Sequence, residues 1–418
     1  MNVSRPAGGY PDIYRITQLF ENTAVADVTE AVHAQFAGFN PKSRVKAGQR
    51  VAVAVGSRGI DRIDEIVAAL VAELKSLGLV PFVIPAMGSH GKATAQGQKD
   101  LLAGLGVSEQ RVGAPVVSNM ETVSLGNLDS GAEVFVAADA LDADHLFAVN
   151  RVKPHTVFRA EVESGLCKML AVGCGKREGA DSLHKAGLGE NIVSAAQRIS
   201  ERVSVLGGLA VVENSLDKIY RIQLVAADEF AETDRRLLME AKSLLPRIPV
   251  ERLDILIVDE IGKNISGAGL DPNVIGFWRR DGGPRLPDYG ILILLDLTSE
   301  SHGNAIGVGM GDLITRRLAD KIDYEATYTN VMTSGKWRSG ATPMTLDSDR
   351  AAVELALSKM DDPENVRMAR IRNTLHLETL WVSRSVLPEL RQITGVKVDE
   401  QPRRLAFDTA GRIFSFSG

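Results

Sequence analysis

Gln49-Arg-Val-Ala-Val-Ala-Val55 is a short Val-rich run, and the apolar residues that follow it, Ile63, Ile66, Val67, Leu70, Val71, Leu74 and Leu77, return at helical spacing. A buried strand followed by an amphipathic helix is the repeating unit of a parallel sheet, because a parallel neighbour is reached only through a crossover long enough to hold a helix. The unit recurs. Val80-Pro-Phe-Val-Ile-Pro85 predicts the next strand, residues 93–105 a helix, and residues 133–137, 145–149 and 208–213 further strands. A second series starts at Asp254-Ile-Leu-Ile-Val258 and continues at Gly290-Ile-Leu-Ile-Leu-Leu295, beyond a charged helical stretch (228–245) and the breaker Pro246-Arg-Ile-Pro249. The predicted class is therefore α/β, with two domains built on largely parallel, helix-covered sheets. A chain of 418 residues also exceeds what one hydrophobic core usually serves. The expected division is an N-terminal domain over 1–248 and a C-terminal domain over 249–362, with the active site in the cleft between them. A tail over 363–418 ends in a hairpin-like stretch, residues 405–416, and is expected to pack back on the N-terminal domain.

Four polar motifs each fall directly after a predicted strand: Gly56-Ser-Arg-Gly59, Met87-Gly-Ser-His-Gly91, Asn150-Arg-Val-Lys-Pro-His155 and Asp259-Glu-Ile-Gly-Lys263. Parallel sheets bind ligands at those carboxyl ends. His90 and His155 lie in separate strand-end loops, so they could flank one substrate carbon from opposite sides and act as acid and base near neutral pH. The bland reading of each is a solvated histidine in a turn. Lys168, in the apolar segment Gly165-Leu-Cys-Lys-Met-Leu-Ala-Val-Gly173, reads either as an amine made nucleophilic by desolvation or as a lysine snorkelling from the core. His184, sixteen residues on, reads as a metal ligand or a surface histidine. Arg58 and Lys263 offer positive charge for a substrate carboxylate, with plain surface solvation as the alternative.

Other function classes find less support. A net charge of −5 lacks the basic footprint of a nucleic-acid binder, and no run approaches a membrane span. Cys167 and Cys174 form neither a disulfide framework nor a paired CxxC zinc site, which suits a reducing cytoplasm. Gly173-Cys-Gly-Lys176 lacks the parts of a P-loop, and Gly307-Val-Gly-Met-Gly311 has the wrong spacing for a dinucleotide fingerprint. Ser301-His-Gly-Asn304 reads as a turn and cap. A small-molecule substrate is the expected partner.

These residues, in this order, resemble the lactate racemase family of nickel-pincer nucleotide enzymes: Arg58 in the first strand-end loop, His90 in a Gly-Ser-His motif, then His155, Lys168 and His184. The resemblance implies an isomerase, a racemase or epimerase of a 2-hydroxy acid. It implies that Lys168 carries a covalently attached nickel-pincer nucleotide, supplied by cofactor biosynthesis enzymes, and that His184 coordinates the nickel. It further implies that His90 and His155 serve as alternating bases, and that Arg58 and Lys263 hold the substrate carboxylate. The approach to the lysine, Glu161-Val-Glu-Ser-Gly-Leu-Cys167, departs from the family's glycine run. The chain therefore resembles a divergent homologue, acting on a larger hydroxy acid such as a sugar acid, and Arg159, Glu161 or Trp337 could bear on that choice. Three other readings stay open: a zinc or iron hydrolase or lyase using the same histidines, a Schiff-base enzyme at Lys168, and a non-catalytic hydroxy-acid or nucleotide-binding protein.

Overall fold

The computed structural model describes residues 9–39, 44–57 and 59–416. The chain divides into two compact bodies, one formed by residues 21–245 and the other by residues 1–20 together with 246–418. The first strand, β1 (Asp12–Gln18), belongs to the second of these. The body formed by 21–245 contains β2 (Arg50–Val55), β3 (Val80–Pro85), β4 (Thr122–Asn127), β5 (Glu133–Ala137), β6 (His145–Arg151), β7 (Val205–Glu213) and β8 (Ile219–Val225). Its main sheet has the order β3-β2-β6-β7-β8, and only β8 runs antiparallel. Val51 to Val55 are fully buried because helices cover both faces, which explains why β2 reads as a continuous apolar run instead of an alternating one. The helix Ile63–Ser76 buries Ile63, Ile66, Val67, Leu70, Val71 and Leu74, the stripe predicted from spacing.

Register aligns the loops. Val55 lies opposite Pro85 on one side and Val149 on the other, so the loops after β2, β3 and β6 leave the sheet at the same end. After β2 the chain moves to β3 on one side, whereas β6 docks on the other. That reversal is the topological switch point at which open α/β sheets form a crevice.

The other body holds β9 (Arg252–Ile261), β10 (Asp288–Leu297), β11 (Leu313–Thr315), β12 (Met344–Leu346), β13 (Met368–Ile371), β14 (Thr379–Ser383), β15 (Val396–Val398) and β16 (Arg403–Arg404). With β1 they form one sheet, ordered β12-β11-β10-β9-β13-β14-β1-β15, with β16 also pairing β1. β9 to β13 pair in parallel and the remainder antiparallel. The structure thus differs from the expectation that 363–418 packs on the N-terminal domain. Met368 to Ile371 pair with Ile255 to Val258 in the same sheet, and the buried Arg370 makes two 2.7 Å bonds to Asp259 while stacking 4.9 Å from the Phe414 ring. The tail is tied to this body by its own backbone ladder and by a desolvated ion pair. No helix among the described residues is long and apolar enough to cross a membrane.

Candidate active site

Three strand-end loops and two helices of the 21–245 body carry the candidate residues. His90 follows β3, and its Nδ1 lies 2.5 Å from the Oγ of Ser57, which follows β2. If the hydroxyl accepts from Nδ1–H, Nε2 is the basic nitrogen of the neutral ring. The loop is held from within the core. Gln98, fully buried, donates from Nε2 to the carbonyls of Gly88 (2.8 Å) and His90 (3.2 Å). Its Oε1 accepts from the Nζ of Lys176 (3.2 Å), which also donates to the Pro85 carbonyl (2.7 Å). Lys176 is itself completely buried, and desolvation holds its ammonium below the usual lysine range. It starts the helix Lys176–Ala186, so one buried network joins the His90 loop to the helix bearing His184.

His155 follows β6. Its backbone N–H donates to Glu163 Oε2 (2.8 Å), and its Nδ1 accepts from the Val157 N–H (3.1 Å). With Nδ1 so engaged, Nε2 carries the hydrogen of the neutral imidazole, the complement of the His90 arrangement. Glu163 has no exposed surface and also accepts from Lys242 Nζ at 2.8 Å, so the carboxylate that orders this loop is charge-paired. The His155 ring stacks on Phe158 with centroids 4.3 Å apart, and Lys168 Nζ lies 5.6 Å from the same Phe158 ring. Phe158 therefore stands against both.

Lys168 ends the short helical turn Leu166–Lys168, which runs on into the π-helical segment Met169–Cys174, a rare geometry that is frequent at functional sites. His184 sits in the last turn of Lys176–Ala186. Desolvation, then the Lys168 charge, hold its imidazole below the ordinary histidine value, so it stays neutral and able to coordinate a metal at lower pH than an isolated histidine. The thiols offer little as ligands. Both are buried, and desolvation raises Cys167 far above the ordinary thiol value and pushes Cys174 up to about 12. Among the described residues no group of three or more His, Cys, Asp or Glu is placed to hold a metal ion, so direct zinc or iron binding by His90, His155 and His184 gains no support.

Arg58 lies outside the described residues. Lys263 belongs to the other body, where its Nζ donates to the Gly267 carbonyl (3.0 Å) and to Asn330 Oδ1 (3.1 Å). Sequence reasoning missed Ser57, Phe158, Glu163, Gln98, Lys176 and Asp234. The last left a readable signal: it interrupts the buried stripe Phe230, Thr233, Leu237, Leu238 and Ala241 of the helix Phe230–Leu244 with a carboxylate.

Asp234 is buried, and desolvation pushes its carboxyl up to about 7 despite the backbone N–H bonds of Cys167 and Leu166 that oppose the shift. The folded protein then binds this proton more tightly than the unfolded chain, whose carboxyl has its ordinary value of 3.8. Stability from this group is full below about pH 4 and is lost as pH rises toward about 7, at up to about 1.4 kcal/mol per pH unit. Urea unfolding across that range should show this slope in the wild type and its loss in Asp234→Asn.

Two imidazoles, His90 and His155, thus follow strands at the sheet's switch point, in the same body as Lys168 and His184. Residues 13–198 match the lactate racemase N-terminal domain. Among solved structures it is similar to the lactate racemase apoprotein from Thermoanaerobacterium thermosaccharolyticum, with a TM-score of 0.54 over 86% of this chain and 98% of that one. Identity there is 11%, so that likeness is one of fold. No curated protein matches the chain significantly.

Proposed function

We propose that this protein is a racemase or epimerase that inverts the C2 centre of a 2-hydroxy acid, using a nickel-pincer nucleotide attached through Lys168. The observation that carries the reading is the pairing of Lys168 with His184, an amine for attachment beside an imidazole kept neutral for coordination. The donor set fits the group, since one imidazole with no accessible thiolate leaves the remaining ligands to come from the nucleotide itself. When bound, the cofactor supplies reversible hydride acceptance at the substrate carbon.

The protein's own groups manage the proton and the carboxylate. His90, with a basic Nε2, takes the hydroxyl proton as the C2–H bond breaks, and His155, with Nε2–H, donates a hydrogen bond to the same oxygen from its own loop. After the resulting keto acid presents its other face, the hydride returns to C2 and the proton held on His90 returns to the oxygen, while the His155 Nε2–H stays hydrogen-bonded to that oxygen, so both imidazoles end as they began. Arg58 is assigned to the substrate carboxylate, which it would hold by a bidentate fork. Phe158 keeps one wall of the site apolar. Cofactor biosynthesis enzymes are the implied protein partners.

The test is isotopic. A panel of 2-hydroxy acids, sugar acids included, is supplied with deuterium at C2, and the inverted product is examined by NMR and mass spectrometry. Hydride return predicts that the deuterium stays at C2 through inversion. Washout into solvent would mean that the two histidines act on the carbon as proton carriers, and would remove the hydride reading.

A further inference from the structure

We propose that Asp234 is the positioning residue for Lys168, acting through a backbone clamp that Gly165 alone makes possible; this rests on the reading of Lys168 as the cofactor anchor. Asp234 Oδ1 accepts the Leu166 N–H at 3.0 Å and Oδ2 accepts the Cys167 N–H at 2.8 Å. These are the opening amides of the turn that ends in Lys168, and both residues are buried, so without the carboxylate two helix-start donors would be left with no water to satisfy them. The carboxylate is fully desolvated, and the hydrogen bonds it accepts come from that turn rather than from a basic side chain.

Gly165 explains how the carboxylate gets so close. Its φ is +93°, and a Cβ there would stand 2.1 Å from Asp234 Oδ1, so any side chain would expel the acceptor. The Gly165 carbonyl is gripped from elsewhere, by Asn150 Nδ2 at 2.6 Å. Asn150 lies within β6, the strand that leads to His155. The peptide unit preceding the lysine turn is thus held at its oxygen from the sheet and at its N–H from the helix Phe230–Leu244, which sets the direction in which Lys168 leaves the backbone. Sixty-eight residues separate Leu166 from Asp234, so nothing local in the sequence announces the pairing.

The experiment reads Lys168 directly in the apoprotein. Asp234→Asn keeps the shape of the side chain but turns an amide N–H₂ toward one of the two N–H donors, and Gly165→Ala displaces the carboxylate without changing charge. Wild type and both variants are treated with limiting succinimidyl acetate, and acetylation rates are read by peptide mass spectrometry, normalised to the exposed Lys99 and Lys397. Expected is a roughly tenfold rise at Lys168 in either variant, with the double variant no worse than each single because one clamp is lost in all three. Adduct occupancy on Lys168, after production alongside the cofactor biosynthesis enzymes, should fall in parallel. Folded variants whose Lys168 rate stays within about twofold of wild type would overturn the proposal. Hydrogen exchange on the unmodified protein decides the matter even if the variants do not fold: the Leu166 and Cys167 amides must be strongly protected, and exchange at open-loop rates would sink the clamp. Absence of any adduct on wild-type Lys168 would count against the cofactor reading, while the acetylation rates still judge Asp234.

Discussion

Lys168→Ala is expected to abolish turnover, by about a thousandfold or more, and to leave the protein without bound nucleotide or nickel. The fold should persist. Lys168 ends a three-residue turn whose buried residues are Leu166 and Cys167, so the substitution leaves that buried packing in place. Intact and peptide mass spectrometry with elemental analysis for nickel check the result on protein made alongside the biosynthesis enzymes. Full activity in Lys168→Ala would remove the pincer reading. Unmodified Lys168 in a wild type that binds zinc or iron would transfer the assignment to a metal-dependent hydrolase or lyase, and borohydride trapping at Lys168 would transfer it to Schiff-base chemistry.

His90→Ala and His155→Ala form the second large prediction. Each should lower kcat by about 10²- to 10⁴-fold, the range typical of a positioned acid or base, while retaining nickel at wild-type occupancy. The double variant should be scarcely slower than either single one, because residues that act as a unit do not contribute additively. Steady-state kinetics with parallel nickel analysis separates the two effects. Loss of nickel from either single variant would show that a histidine assigned to the proton belongs to the metal instead.

Local patterning made the sheet-and-helix frame legible. Val51 to Val55 and the stripe from Ile63 to Leu74 are encoded by neighbours a few residues apart, and the rule that ligands collect at strand ends placed His90 and His155 in advance. What stayed hidden depends on distant partners. Glu163 looked like a departure from a glycine run until its carboxylate was found beneath the His155 backbone and against Lys242. Lys176 looked like a failed P-loop lysine, whereas its amine is spent on Pro85 and Gln98 inside the core. The tail was misplaced because a short strand does not advertise which sheet it joins; the pairing of Met368 to Ile371 with β9 and the burial of Arg370 against Asp259 decide it.

β1 and the tail meet across almost the whole chain: Asp12 and Arg384, joined at 3.0 Å, are 372 residues apart. At about 5–20 residues per second, synthesis of that interval takes roughly 20 to 75 s, and throughout it the first strand has no partner to pair with. The body formed by 21–245 emerges from the ribosome complete within the same interval, with His90, His155, Lys168 and His184 already in hand. The other sheet closes only once β14 has been made, so a nascent chain stalled before β14 would carry residues 21–245 in finished form while the second body stayed unassembled.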